Sequence, residues 1–379
     1  MKKILLLLLI LTACSSKNNR QENSIYTTDN QGINIEVTHA TAFDLNYRDG
    51  YKIATISRPW QGSSDTIVYV LKKKNTETNH QIEKLGQVFT IPLKKIVSNS
   101  SSQIVVLEKL GLLDRLKGYA QTEYIYSDKI NQLVDQGEIE EVGIEAKMNI
   151  EHILGIDPDA VVAFNMGRED RQLNKLKELG IPIILNADYM ENTPLGRAEW
   201  IKFVAAFFDK ETEANEYFNS VVHNYDSLLT LVHGVKKTAT FSGVLYGGTW
   251  YLPGGNNFGA RLMEDAGGEY VWSSDNSSGW LNISFEVVYE TAHDADAWIG
   301  VASFEKLNQM KEADERYADF KAFKTKNVFS YIKRAHENGA NDYFESAVIR
   351  PDVVLSDHIK MLHPELVPNY ELYYFEKLK

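Results

Sequence analysis

The chain has 379 residues, a single cysteine and a formal net charge of −12. One cysteine excludes an intrachain disulfide, so the fold must be held by its core. The acidic balance excludes nucleic acid as a natural partner and argues against a broad basic pocket for a highly anionic ligand.

The first residues, "MKKILLLLLILTAC", place two lysines before an apolar run from Ile4 to Leu11. That run is too short to span a bilayer as a mature helix, and it fits a secretory signal peptide over residues 1–13. Removing Lys2 and Lys3 with it takes the net charge from −12 to −14. Leu11-Thr12-Ala13-Cys14 resembles the bacterial lipobox, in which the cysteine is acylated and becomes the first mature residue. Residues 14–24 are polar and read as a tether. No later apolar run is long enough to span, so the expected mature protein is lipid-anchored, not embedded.

Residues 25–92 are β-rich. "FDLNY" and "YKIATI" flank Asp49-Gly50, a hairpin signal, and "TIVYVL" adds a third strand. From residue 93 to 209, strands alternate with helical patterns: strand 95–98, helix "SQIVVLEKLG", helix "MNIEHILGI", strand "AVVAFN", helix "EDRQLNKLKELG" and strand "IPIILN". Such alternation predicts a parallel sheet flanked by helices. Thr193-Pro194 is a helix start, a capping hydroxyl before a first-turn proline. A long helix is expected over 210–233, its apolar stripe running through Ala214, Tyr217, Phe218, Val221, Val222, Tyr225, Leu228, Leu229 and Val232. The α/β alternation resumes over 234–379, beginning with "TATFSGVLYG" as one strand. "NIEHILGIDPDAVVAF" and "SFEVVYETAHDADAWIG" echo each other across the helix. The expected fold is therefore α/β: two similar lobes with mainly parallel sheets, joined by one long spine helix, with a β-rich elaboration of the first lobe.

Open parallel sheets bind ligands beyond the carboxyl ends of their strands. The loops at those ends are "SNSSS", "QTEYIYS", "NMGRE", "GGTWYLPGGNN" and "KRAHENGANDYFES". They nominate Ser100, Ser101, Tyr124, Tyr126, Asn165, Arg168, Trp250, Tyr251, Arg334, Asn338 and Asn341 as ligand-binding residues. Aromatic and amide groups with a few arginines suit a sizeable, partly polar organic ligand. Enzyme signatures are missing: the sequence has no G-x-S-x-G elbow, P-loop or HExxH. The nine histidines are scattered, and no bare-metal ligand set is readable. The helical run "FGARLMEDA" ends in Gly267-Gly268, a routine helix stop, yet Glu269 follows directly on a stiff stub.

From about Pro92 to Leu378 the chain resembles the helical-backbone periplasmic substrate-binding proteins of ATP-binding-cassette importers for siderophores, haem and cobalamin. The stretches that carry the resemblance are "PLKKIVSNSSSQIVVLEKLGLLDRLKGYA", "IEEVGIEAKMNIEHILGIDPDAVVAF", "LGIPIILN", "LMEDAGGEYVW" and "ERYADFKAFKTKNVFSYIKR". The segment 25–92 lies outside the shorter family members. The resemblance implies a carrier without catalysis or cofactor, a monomer in the bacterial cell envelope on the periplasmic side. Its cargo would be a metal chelate, an iron-siderophore or haem, with cobalamin as the alternative. Its partner would be a permease, docked by one surface glutamate per lobe. Glu269 matches the second-lobe glutamate, and Glu140 the first, with Glu141 as the register alternative. A chelate-processing enzyme and a surface adhesin are the rival classes, which chelate turnover and a permease partner respectively would separate.

Overall fold

The structure is a computed structural model that describes residues 35–48, 50–76, 80–144, 147–164 and 170–379. Cys14, Asn165 and Arg168 lie outside the described residues.

Four strands come first: β1 (Phe43–Arg48), β2 (Tyr51–Ser57), β3 (Thr66–Lys73) and β4 (Gln87–Ile91), in spatial order 1-2-3-4. Arg48 pairs with Tyr51, leaving a two-residue turn in which Gly50 has φ +81°. Both central positions of such a turn favour left-handed backbone, which glycine adopts without steric cost. Phe43, Leu45 and Tyr47 alternate inward with Ala54 and Ile56 opposite, so one face joins the first-lobe core.

Two buried carboxylates pin the segment before β1. Glu199 accepts the backbone N–H groups of Thr38, His39 and Ala40 at 2.9, 2.7 and 2.8 Å. Glu191 accepts those of Thr41 and Ala42, each at 2.9 Å. Lys202, almost fully buried, pairs with Glu199 at 2.7 Å. Burial alone would raise the Glu199 pKa, but Lys202 and the backbone donors outweigh it and hold the carboxyl below its ordinary range. On β2, buried Lys52 reaches Asp209 at 2.6 Å and also Glu211, tying the extension to the start of the spine helix.

The first lobe contains β5 (Ile96–Ser98), β6 (Leu116–Tyr119), β7 (Glu140–Glu141), a small hairpin of β8 (Gly143–Ile144) and β9 (Lys147–Met148), β10 (Ala160–Phe164) and β11 (Ile183–Asn186). Its sheet is parallel, in the order β11-β10-β5-β6-β7. The strand order reverses at β5, and it is at such a switch point that open parallel sheets place their ligand crevice. Helix starts are capped as their sequences dictate: Asn149, Asp170 and Thr193 each accept a first-turn N–H.

Helix Pro194–Ala206 is buried over nearly its whole length. The spine helix follows as Glu211–Leu231, about 31 Å at 1.5 Å per residue. Its apolar stripe passes from one core to the other. Ala214 and Phe218 belong to the first-lobe cluster, Val221 and Tyr225 to the second, and Tyr217 and Val222 pack against both. The rotation of a single straight helix thus joins two separate cores.

The second lobe holds β12 (Thr238–Ser242), β13 (Val244–Tyr246), β14 (Thr249–Pro253), β15 (Gly268–Tyr270), β16 (Trp280–Ile283), β17 (Ala297–Ile299), β18 (Val328–Ser330) and β19 (Glu376–Lys377). The main sheet runs β15-β12-β17-β18-β19, with only β19 antiparallel. "TATFSGVLYG" is two strands, where the sequence suggested one. Gly243, at φ +86°, breaks it, because a Cβ there would sit 2.0 Å from the Tyr251 carbonyl oxygen. β13 leaves the parallel sheet and forms an antiparallel one with β14 and β16. The expected loop "GGTWYLPGGNN" therefore contains a strand, and strand alternation decides where its side chains point.

Candidate functional site at the lobe junction

The carboxyl-end loops of the two sheets meet. After β18, residues 334–341 fold back as a finger: Ala335 bridges Asn341, and the His336 N–H donates to the Ala340 carbonyl at 2.8 Å. Asn341 then caps the helix Asp342–Glu345. Beneath lies an aromatic platform in which Tyr331 and Tyr343 stack at 4.9 Å and Phe375 meets both edge-on. The finger presses on the loop after β6. His336 stacks on Tyr126 with ring centroids 4.4 Å apart. Asn338 Nδ2 donates to the Glu123 carbonyl at 2.6 Å. A Cβ on Gly339, which holds φ +94°, would lie 3.6 Å from the Tyr124 ring. Ser101 Oγ donates to the Phe344 carbonyl at 3.3 Å, and the Tyr126 N–H donates to Glu345 Oε1 at 2.5 Å.

Five of the nominated residues therefore come together: Ser101, Tyr124, Tyr126, Arg334 and Asn338. Arg334 is already partnered. Its Nε donates to Asp342 Oδ2 at 2.5 Å, and its guanidinium lies 4.4 Å from the Tyr373 ring and 5.2 Å from that of Tyr126. It is a junction organiser as much as a free cation. Burial raises the Tyr126 pKa, with Arg334 opposing it.

Three nominated residues are committed to packing or to backbone partners. Trp250 is fully buried in the second-lobe core, stacked on Trp298 at 5.5 Å, with Nε1 donating to the Ser242 carbonyl. It points inward because it occupies the core-facing register of β14, and this corrects its assignment to a cleft wall. Ser100 is buried, with its hydroxyl 3.0 Å from that of Ser102. Asn341 spends its side chain on the cap and on the Tyr331 carbonyl at 3.0 Å. These two shape backbone. Tyr251, one residue from Trp250, takes the opposite face and is exposed, beside Tyr246 with centroids 6.5 Å apart. Trp280 on β16 lies on that same face by register, since its partner is Pro253. Tyr246, Tyr251 and Trp280 thus form an exposed aromatic face at the carboxyl side of β12.

Sequence reasoning did not nominate His336, Phe344, Glu345, Tyr246 or Trp280. The first three lie inside a loop it did mark, and the last two become legible only once β13, β14 and β16 are paired. It also missed Arg197. Nη2 of Arg197 donates to buried Asp188 at 3.2 Å while its guanidinium lies 4.3 Å from Phe258 of the second lobe. A small apolar void is lined by the first-lobe residues Gln103, Ile184, Phe203 and Phe207.

The two candidate docking glutamates lie on edge strands. Glu140, on β7, is exposed and its Oε2 is 2.5 Å from His152 Nε2. Glu141 accepts the Thr122 hydroxyl at 2.6 Å. Glu269, on β15, is exposed, and its carboxylate has no hydrogen-bond or ion-pair partner among the described residues. The glycine pair before it is demanded twice over. Gly267 has φ +80°, and a Cβ on Gly268 would meet the Met263 carbonyl at 2.6 Å.

Among the described residues no group of three or more His, Cys, Asp or Glu side chains could hold a metal ion. Among them, too, no helix is long and apolar enough to cross a membrane.

An uncharacterized lipoprotein of Methanocaldococcus jannaschii is 31% identical over 307 residues, covering 78% of this chain and 72% of its own. A vitamin B12-binding protein of Salmonella typhimurium is 28% identical over 152 residues, covering 40% of this chain and 54% of its own. In solved structures, a periplasmic haem-binding protein of Vibrio cholerae superposes with a TM-score of 0.54 at 18% identity, covering 69% of this chain and 98% of that one. Two α/β lobes joined by a spine helix agree with a sequence match over residues 96–335, and the chain belongs to the periplasmic binding protein family.

Proposed function

We propose that this protein captures a metal chelate between its lobes and delivers it to an ATP-binding-cassette permease, with no chemical step of its own. The observation that carries this reading is the meeting of carboxyl-end loops from two sheets, in a chain whose family is a binding family. The cargo lies against Tyr124, Phe344 and the face of Tyr246, Tyr251 and Trp280, all exposed. Large rings with polar edges suit an organic chelate better than a bare ion. Asn165 and Arg168 are further contacts proposed from the sequence alone. An iron-siderophore or haem is the first choice of cargo. Cobalamin is the alternative, favoured by the B12-binding relative.

Cys14 carries the lipid and residues 14–24 tether the body to the envelope, as the lipoprotein relative supports. The protein works as a monomer, with Glu140 and Glu269 as its two permease contacts. Titration calorimetry and visible absorption with haem, a ferric siderophore and cobalamin test the reading. Saturable binding of one of them at 1:1 is expected. Failure of all three, or turnover of the chelate by the purified protein, would overturn it.

A further inference from the structure

Glu345 stands where the lobes touch and is 4% exposed. It follows the second-lobe finger in sequence, while Val348 and Ile349 just beyond it pack in the first-lobe core, and its Oε1 accepts the backbone N–H of Tyr126 in the first lobe. We propose that Glu345 is a proton-controlled latch, closing the lobe junction when its carboxyl is neutral and loosening it when ionised.

The surroundings favour the neutral form. On its own helix the nearest charge is Asp342, itself committed to Arg334 at 2.5 Å. From helix Ser101–Lys109 of the first lobe comes Glu108, which accepts the Ser127 hydroxyl and lies 3.8 Å from Lys129. The loop after β6 adds Asp128 and Tyr126, and the finger adds His336, stacked on the Tyr126 ring. Tyr373 stands beyond Arg334. No cation pairs directly with Glu345 among the described residues, and its closest charged neighbours include two acids. Burial, followed by Asp342 and Glu108, pushes its pKa from 4.5 up to about 7, against the lowering effect of the Tyr126 and Ser127 N–H groups.

The sign follows from linkage. When the lobes part, Glu345 meets water and its pKa falls to the ordinary carboxylate value, so the closed junction is the state with the higher pKa. Protons therefore bind preferentially to the closed state. The stabilisation is complete below about pH 4.5, declines as pH rises, and is gone above about pH 7. A neutral carboxyl still accepts the Tyr126 N–H through its carbonyl oxygen, so closing requires no new partner. Because the latch concerns lobe contact alone, it holds or fails independently of what the cargo is.

Amide hydrogen exchange on the cargo-free full chain tests it, reading the Tyr126 N–H from pH 5 to pH 8 after correction for intrinsic exchange. Protection of Tyr126 should fall roughly tenfold or more across that range, since each unit of pKa difference is a factor of ten. Amides of β5 and β12 should hold steady. In Glu345→Gln, a neutral side chain of the same shape, protection should stay high and flat. His336→Gln should keep the wild-type fall. Flat protection in the wild type would overturn the latch. So would a fall that persists in Glu345→Gln and vanishes in His336→Gln, which would assign the titration to the histidine.

Discussion

Asp159 and Asp296 enter their strands in the same way, each donating its backbone N–H at 2.8 Å to the start of the lobe's first strand, at Lys95 and Ala239. Beyond that first strand the lobes part company. In the first lobe β5 passes through Asn99 and Ser100 straight into a helix, so the carboxyl end is a small polar step. In the second, β12 reaches Gly243 and turns into an antiparallel sheet with a buried tryptophan on one face and exposed aromatics on the other. The edge strands differ too: Glu140 is held by His152, while Glu269 has no partner among the described residues. The first lobe alone carries the β-rich extension. A repeated α/β frame thus sets where loops emerge, and short local choices decide whether a lobe offers a polar floor or an aromatic wall.

Replacing the tryptophan should separate core from wall most sharply. Trp250→Ala is expected to cost about 3–5 kcal/mol of stability by leaving a cavity in the second-lobe core. Tyr251→Ala, one residue along on the exposed face, should change stability by under about 0.5 kcal/mol yet weaken cargo binding. Denaturant titration of both variants checks this. Equal loss in the two would mean that β14 alternation does not divide core from wall.

The extension makes the next largest contrast. Glu199→Gln removes one partner of a buried ion pair and is expected to cost roughly 3–5 kcal/mol. In the wild type, the Glu199 carboxyl is held below its ordinary range, so its contribution is present above about pH 4.5 and lost as pH falls through the lowered value. Acid titration followed by near-ultraviolet dichroism should show a transition that Glu199→Gln shifts, while the second-lobe tryptophan signal stays put.

Arg334→Ala is expected to weaken cargo binding by about 1–3 kcal/mol, the range for a central anchor. The loss would act through Tyr126, whose ring it faces, so Tyr126→Ala should show similar loss and the double variant less than the sum. Strict additivity in calorimetry would place the two residues in separate sites.

The smallest effects concern the docking glutamates. Glu269→Ala and Glu140→Ala should leave cargo affinity unchanged and lower uptake in reconstituted vesicles, more so at low salt. His152→Ala should cost no more than about 1 kcal/mol of stability and, by freeing Glu140, should raise docking rather than lower it. Normal uptake by the double glutamate variant would return both residues to ordinary surface acids.

The sequence by itself determined a good deal. The two-lobed α/β frame followed from alternation of periods, the spine from a stripe of helical period, and the first hairpin from Asp49-Gly50. The helix stop before Glu269 followed from a glycine pair, because these signals are local and each residue's backbone preference suffices. The position of residues 333–346 after a strand was legible too. What only the tertiary structure decided is which side of an element a residue faces and what it meets from far along the chain. Gly243 looked like any strand glycine until Tyr251 closed on it, and that approach moved Trp250 from wall to core. Arg334 looked like a free cation until the finger folded Asp342 onto it. Glu345 gave no signal at all, since a carboxyl becomes a latch only when Tyr126, 219 residues away in sequence, is brought against it by lobe packing that no local pattern encodes.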